Sequence, residues 1–229
     1  MIPLGDDRLH NVAKPIVAIL LIIINVLLFL YELQLGEGLE AFIYQYGATP
    51  AYIRNGENAL SLLTSMFLHG GWMHLIGNML FLWVFGDNIE AVLGHFGFFI
   101  FYILGGLAAS FAHVYFNIAS EVPSLGASGA ISACLGAYIV MFPHSRVRTL
   151  IPLGFFFTTV RVSAWIFLGV WMAIQVFSSM MEGNAEGGGV AWWAHIGGFV
   201  FGVFAGLLFR QKARKILVIQ DDANTRRWI

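Results

Sequence analysis

The sequence contains 229 residues, of which 59% are hydrophobic and only 11% are charged. So small a charged fraction cannot cover the surface of a water-soluble domain of this size, so we expect a chain that folds in a lipid bilayer. The formal net charge of −1 provides no field that would attract nucleic acid, and Cys134, the single cysteine, cannot form an intrachain disulfide.

Apolar stretches long enough to cross a hydrocarbon core of about 30 Å recur along the chain. They lie at residues 16–33, 72–92, 95–116, 125–142, 161–181 and 192–209. None of them alternates polar and apolar residues with period two, so helices are expected and strands are not. The pattern predicts an all-α membrane protein, a bundle of six transmembrane helices.

The first apolar stretch follows Arg8 and Lys14 and could therefore be mistaken for a secretory signal peptide. No small-x-small cleavage site comes after it, and Tyr31, Glu32 and Gln34 are instead typical of an exit into the membrane interface. We interpret this stretch as a retained first span.

The connection between the first and second predicted spans is too long for a simple turn and too apolar for a fully solvated loop. Its apolar residues are Phe42, Ile43, Tyr44, Tyr46, Leu60, Leu62, Leu63, Met66, Phe67 and Leu68. We expect short amphipathic helices that lie in the interface and cover another part of the molecule.

The basic residues predict an orientation, because Lys and Arg in short loops favour the cytoplasmic side. With six spans, only Arg54 lies on the outer side. The cytoplasmic side would carry Arg8, Lys14, Arg146, Arg148, Arg161, Arg210, Lys212, Arg214, Lys215, Arg226 and Arg227. Both termini are then cytoplasmic, with residues 1–15 and 210–229 as short tails around a core at 16–209. The basic second tail is expected to contact anionic lipid.

Three polar motifs lie at the outer starts of the second, fourth and sixth predicted spans. The first holds His74 and Asn78, which share a helix face, the second holds Ser128, and the third holds His195. Because these spans run in the same direction, the motifs share one depth. A lone serine in a membrane helix usually bonds its own backbone, but a histidine at matching depth favours a nucleophile and its general base.

Two ridges of small residues predict that the fourth and sixth spans pack closely. They are Ala194, Gly198, Gly202 and Gly206 on one span, and Gly129, Ala133 and Ala137 on the other. Such ridges let helix backbones touch in lipid. This contact would bring the Ser128 hydroxyl within reach of the His195 imidazole.

The three motifs resemble those of the rhomboid family of intramembrane serine proteases, over residues 16–209. They are Gly126-Ala127-Ser128-Gly129, Ala194-His195-Ile196-Gly197-Gly198, and His74 followed four residues later by Asn78. The resemblance implies a six-helix rhomboid-like bundle with an interfacial first loop. It also implies a catalytic Ser128–His195 dyad, with His74 and Asn78 binding the oxyanion beside the Ser128 backbone N–H.

The same resemblance implies a hydrolase that needs no cofactor and whose substrates are transmembrane segments of other membrane proteins, cut near their outer ends. We expect a multi-pass protein of the bacterial inner membrane, in contact with the lipid bilayer and not with nucleic acid. With no soluble extension beyond its short tails, the chain is expected to be a minimal six-span member.

The chain departs from the best-known rhomboid pattern four residues after the serine. There some members carry an aromatic that packs on the catalytic imidazole, and this chain has Ser132. We therefore expect Trp192 or Trp193 to orient His195. His69 matches a further family histidine, for which a structural role is expected. Apart from Glu32 at the interfacial exit of the first span, no Asp or Glu lies in the outer half of a predicted span, so the dyad is expected to act without an acidic third member.

Other functions compete with this interpretation. A metal site could use His69, His74, His113 and His195, but the sequence lacks a Glu-x-x-His or His-x-x-x-His pair. A transporter is disfavoured because repeated broken helices and inward charges are missing from the pattern. A non-catalytic rhomboid-like binding protein typically lacks the nucleophile or the base, whereas both occur here. We expect His113 to be a structural hydrogen-bonding residue.

Overall fold

The computed structural model describes residues 1–7, 14–153, 156–182 and 190–226. Within these ranges the chain is mostly helical. The helices are α1 (Ile16–Glu32), α2 (Leu39–Tyr46), α3 (Pro50–Arg54), α4 (Ser61–Thr64), α5 (Trp72–Phe81), α6 (Asp87–Leu93), α7 (His95–Phe116), α8 (Ser128–Met141), α9 (Ala164–Glu182) and α10 (Trp192–Arg226). Short 3₁₀ turns occur at Gly36–Gly38 and Ser65–Phe67, and a π-helical turn at Leu82–Gly86 joins α5 to α6.

Each predicted apolar stretch corresponds to a helix or to helices joined end to end, which confirms the all-α membrane fold class. Four helices in the described ranges are long and apolar enough to cross a membrane, namely Trp72–Leu93, His95–Phe116, Ala164–Met181 and Trp192–Leu217. The first helix adds a fifth if it is counted with its continuation at Gly36–Tyr46, from which it is bent by 115°. Helix α8 has 14 residues and is therefore about 21 Å long. The count of six spans stays a prediction.

Helix α8 lies at the centre of the bundle and packs mainly against α10 and α7. Its residues from Gly129 to Tyr138 are all buried. A Cβ atom added to Gly202 would lie 1.9 Å from the carbonyl oxygen of Ala133, and one added to Gly198 would lie 2.1 Å from that of Gly129. The backbones of α8 and α10 therefore touch, which confirms the contact that the small-residue ridges predict.

The first loop contains the expected short helices, α2 to α4, and it holds the segment that leads into α8. Ala48 and Ser124 exchange two backbone hydrogen bonds of 2.9 Å. The N–H of Gly126 donates to the carbonyl oxygen of Ser65 at 2.8 Å, and the Ser110 hydroxyl on α7 donates to that of Leu62 at 3.2 Å. The loop thus fixes the approach to Ser128 from outside the bundle.

Three strands lie at the opposite end of the bundle, where the sequence pattern predicts none. They are β1 (Ile2–Gly5), β2 (Arg146–Leu153) and β3 (Phe156–Ser163), and they form one antiparallel sheet in that order. The prediction that the fifth span begins at residue 161 is therefore wrong, because α9 begins at Ala164. Residues 157–162 alternate between more and less exposed side chains, which is the period of a strand and not of a membrane helix.

The predicted tails are only partly described. Helix α10 continues beyond residue 209 to Arg226, so most of the basic tail is helical. Arg8 and Arg227 lie outside the described residues. The boundaries at residues 15 and 209 stay predictions.

Candidate active site

A cavity of about 840 Å³ brings together the four residues that the motifs single out. Its lining includes His74 and Asn78 from α5, Ser128 from α8 and His195 from α10. These residues come from three helices and from positions up to 121 apart in the chain. The predicted convergence of the three motifs is therefore present in the fold.

Ser128 and His195 are hydrogen-bonded to each other. The Oγ atom of Ser128 lies 2.8 Å from Nε2 of His195. Ser128 is the first residue of α8, where backbone N–H groups lack partners within the helix, and His195 lies in the first turn of α10. A hydroxyl at this distance from an imidazole nitrogen has the geometry of a nucleophile and its general base.

Gly126 makes room for this arrangement just before α8. Its φ angle of +127° lies in a region that residues with side chains rarely adopt. A Cβ atom there would also lie only 2.7 Å from Cε1 and Nε2 of His74. The glycine before the serine therefore serves both the backbone turn and the close approach of the His74 ring.

The His195 imidazole also contacts α9. Nδ1 of His195 lies 2.6 Å from Oε1 of Gln175, and both residues are buried. The rings of Trp171 and Trp192 lie 5.8 Å and 6.2 Å from the imidazole, tilted by 35° and edge-on, respectively. Trp193 instead stacks on Phe116 at 3.8 Å. Of the two tryptophans expected to orient His195, only Trp192 is in ring contact with it.

Asn78 is held by a chain of buried polar groups. Its Nδ2 atom donates to Nε2 of His69 at 3.1 Å, and the backbone N–H of His69 donates to the carboxylate oxygens of Glu32 at 3.3 and 3.2 Å. The interpretation of residues 31–34 as an exit into the membrane interface stays a prediction. Glu32, the last residue of α1, is only 2% exposed. It accepts the His69 N–H, a buried donor that needs a partner.

His74 lies beside this chain. Its Nδ1 atom accepts the backbone N–H of Gly70 at 3.4 Å, and its ring packs against that of His69 with centroids 5.2 Å apart. A neutral imidazole that accepts at Nδ1 carries its hydrogen on Nε2. That nitrogen is one of the ring atoms closest to Gly126 and so lies on the side of Ser128.

The chain is similar to proteins of a known family. Residues 56–212 match the family model described as "Rhomboid domain". The chain belongs to the rhomboid family. With its long apolar helices, this rhomboid is a multi-pass membrane protein.

Two similar proteins come from a yeast and a bacterium. "Rhomboid protein 1, mitochondrial" of Saccharomyces cerevisiae is 32% identical over 165 residues, which cover 68% of this chain and 43% of that protein. "Rhomboid protease GluP" of Bacillus subtilis is 34% identical over 194 residues, or 84% of this chain and 34% of that protein.

A third similar protein is "Presenilin-associated rhomboid-like protein A, mitochondrial" of Danio rerio. It is 31% identical over 148 residues, which cover 63% of this chain and 36% of that protein. This rhomboid therefore spans between 34% and 43% of the length of these three relatives.

Other polar residues of this rhomboid also line the cavity. Nδ2 of Asn117 donates to the carbonyl oxygen of His113 at 2.9 Å and lies 3.4 Å from its Nδ1. Ser132, which stands where some rhomboids have an aromatic, donates its hydroxyl to the carbonyl oxygen of Ser128 at 2.6 Å. Within the described ranges, no three His, Cys, Asp or Glu side chains are grouped to hold a metal ion.

The sequence motifs do not include two residues that contact the imidazole of His195, Gln175 and Trp171. The signal for Gln175 was a strongly polar side chain within an apolar stretch, which is costly in a membrane and therefore a candidate for function. Trp171 lies one helical turn before it, on the same face of α9. Nothing in the spacing of the three motifs indicates that α9 contributes to the site.

Acid should destabilise this rhomboid through His69. Burial, together with the neighbouring His74, lowers the pKa of His69 from 6.5 to about 4. The unfolded chain therefore binds a proton at His69 before the folded chain does. The stability associated with neutral His69 is complete above pH 6.5 and is lost progressively as the pH falls towards 4. Protonation would also remove the acceptor of the Asn78 amide.

We expect the melting temperature in detergent to fall between pH 6.5 and pH 4, and to fall less in His69→Gln, which does not titrate. Because other groups also titrate, the test is the difference between the two proteins. Parallel curves for wild type and His69→Gln would contradict the assignment.

Proposed function

We propose that this protein is an intramembrane serine endopeptidase that cleaves transmembrane segments of other membrane proteins through a Ser128–His195 dyad. The observation that carries the proposal is the 2.8 Å distance between Ser128 Oγ and His195 Nε2. Membership of the rhomboid family and the similarity to a protein named as a rhomboid protease support it.

The first step is attack on a peptide bond. His195 Nε2 accepts the hydroxyl proton of Ser128 while Oγ bonds to the carbonyl carbon of the substrate. The carbonyl oxygen then becomes an oxyanion. The N-terminus of α8 is close to this charge, and its unpaired N–H groups and helix dipole stabilise a negative atom.

The oxyanion is bound by donors from α5 and α8. We assign this role to Nε2–H of His74, the second N–H of the Asn78 amide and the backbone N–H of Ser128. His69 accepts a hydrogen bond from the Asn78 amide, and the backbone N–H of Gly70 donates one to His74. Both side chains are therefore oriented before substrate binds. Donors that are already oriented stabilise a developing charge without reorganisation.

The second half of the reaction releases both products. The imidazolium of His195 gives its proton to the leaving amine, which departs and leaves an acyl group on Ser128. Water then loses a proton to His195, attacks the acyl carbon and frees the new carboxyl terminus, while Ser128 recovers its proton. The cavity around the dyad, which polar side chains line in part, is large enough to hold this water.

The proposed orientation determines the membrane face at which substrates are cut. With residues 1–15 and 210–229 on the cytoplasmic side, Ser128 and His195 lie towards the outer face, so substrates are cut near their outer ends. We propose the bacterial inner membrane as the location, in line with the relative from Bacillus subtilis. The relatives from Saccharomyces cerevisiae and Danio rerio carry "mitochondrial" in their names.

The test is cleavage of a panel of single-span membrane proteins by the purified protein in liposomes. We expect cuts within or beside the outer half of the spanning segment, mapped by mass spectrometry, and protection of tags at both termini from protease added outside intact cells. Cuts at the cytoplasmic end of the substrates would contradict the orientation. No cleavage by the wild type of any substrate would contradict the proposed activity.

A further inference from the structure

We infer that Gln175 is a positioning residue that sets the protonation of His195, in the place that an acidic residue takes in a Ser-His-Asp triad. The inference rests on the proposed function and deepens it. Its starting point is the contact of 2.6 Å between Gln175 Oε1 and His195 Nδ1, made between two buried side chains of α9 and α10.

The first step is the orientation of the Gln175 amide. Its Nε2 atom lies 3.3 Å from the carbonyl oxygen of Trp171, one turn earlier on α9. A backbone carbonyl can only accept, so the amide nitrogen must face it. Turning the amide over would place two oxygens against each other at that distance. The oxygen of Gln175 therefore faces His195.

The second step is the tautomer of His195. Because the amide oxygen of Gln175 can only accept, Nδ1 of His195 must carry a hydrogen and donate it. In a neutral imidazole, Nε2 is then without hydrogen. This is the nitrogen that lies 2.8 Å from the Ser128 hydroxyl. Gln175 thus leaves His195 in the form that accepts the serine proton.

The third step is the rigidity of the ring. The same helical turn that carries Gln175 also places the Trp171 ring 5.8 Å from the imidazole, and the Trp192 ring meets it edge-on. The carbonyl of Trp171 fixes Gln175 while the side chain of Trp171 packs on His195. One turn of α9 therefore orients the imidazole both by packing and by a hydrogen bond.

A neutral acceptor suits this environment. An ionised carboxylate at a buried position in a membrane helix costs free energy unless it is paired. Glutamine accepts the Nδ1 hydrogen without that cost. In the described part of the chain, the side chains hydrogen-bonded to His195 are those of Gln175 and Ser128.

The test compares variants with and without an acceptor at position 175. Gln175→Met and Gln175→Leu leave the Nδ1 hydrogen of His195 without its partner. We expect kcat to fall about 5- to 150-fold, the effect of leaving one buried donor unsatisfied, with KM little changed. Labelling of Ser128 by a fluorophosphonate should slow by a similar factor. Gln175→Glu, which keeps an acceptor oxygen in either protonation state, should recover most of the loss.

A matched control separates positioning from packing. Phe167 is buried on α9 and packs on Phe81 and Phe85, and its own side chain does not line the cavity that holds the dyad. Phe167→Leu should lower the melting temperature with kcat close to that of the wild type. A structural role for Gln175 would predict the same behaviour in Gln175→Met, or equal losses in Gln175→Met and Gln175→Glu. Either result would overturn the inference.

The tautomer of His195 can also be measured in the wild type, which tests the inference even if the variants fold poorly. The ¹⁵N spectrum of histidine-labelled protein, compared with that of His195→Asn, should show a neutral ring protonated at Nδ1. A ring protonated at Nε2 would overturn the inference. Cleavage that persists in Ser128→Ala would instead overturn the proposed function, so the two failures can be told apart.

Discussion

Ser128→Ala and His195→Ala should each reduce proteolysis to the uncatalysed background, while the protein stays folded. Removing the serine or histidine of a soluble serine protease lowers kcat by on the order of 10⁶. We expect a loss of this order, because the hydroxyl is a poor nucleophile unless the imidazole accepts its proton. The double variant should be no less active than either single one, because the two residues act as a unit.

The measurement is the rate of cleavage of a single-span substrate, with Ser110→Ala and His144→Ala as controls. Ser110 on α7 donates to the backbone carbonyl of Leu62 on α4, and His144 is exposed at the far end of the bundle. Both controls should retain activity. A fluorophosphonate should label the wild type at Ser128, and it should label His195→Ala hardly at all. Normal cleavage by a verified Ser128→Ala preparation would rule out the proposed mechanism.

The positions of the helices could be predicted because lipid leaves the backbone few choices. A backbone without water as a partner must bond within its own segment, so long apolar stretches become helices. The contact between α8 and α10 was predictable for a related reason. Glycine and alanine at four-residue spacing allow the backbones to touch, and the Cβ positions at Gly198 and Gly202 leave no room for a side chain.

The sheet was missed because it lies outside the part of the chain that lipid constrains. Strand β1 is only four residues long and pairs with β2, which is more than 140 residues away in the sequence. Pairing over such a distance depends on how the helices bring the two segments together. The alternation in β3 is a local signal, but it directly precedes an apolar helix, and the two were joined into one predicted span.

The three polar motifs could be placed from the sequence, but the residues that hold them in position could not. Ser128, His195, His74 and Asn78 stand out because polar groups at one depth of a membrane protein are rare. The roles of Glu32 and Gln175 depend on the groups to which they are hydrogen-bonded. Glu32 accepts the N–H of His69, and Gln175 meets His195 across two helices. Such pairs depend on helix rotation and packing, which periodicity does not specify.

The second large effect is expected for Asn78→Ala. The amide of Asn78 lines the cavity beside Ser128, and it is held by His69. Loss of one oxyanion donor typically costs about 3 to 4 kcal/mol in the transition state, or roughly 10² to 10³ in kcat. We therefore expect a slow enzyme and not an inactive one. KM should change little, because the interaction strengthens only as the oxyanion forms.

The matched control is Asn25→Ala, which removes another buried asparagine from a membrane helix. The Asn25 amide donates to the carbonyl oxygen of Leu21 on α1, remote from the cavity. This variant should cleave at nearly the normal rate. Because it also loses a buried hydrogen bond, the melting temperatures of Asn25→Ala and Asn78→Ala are measured beside their activities.

Reaction with a fluorophosphonate separates the roles of Asn78 and His195. An oxyanion donor does not activate the nucleophile, so Asn78→Ala should still be labelled at Ser128, more slowly than the wild type. His195→Ala lacks the base and should be labelled hardly at all. If Asn78→Ala instead melts at a much lower temperature while its folded fraction cleaves at the normal rate, Asn78 packs the helix and does not bind the oxyanion. Its contact with His69 would then serve the fold alone.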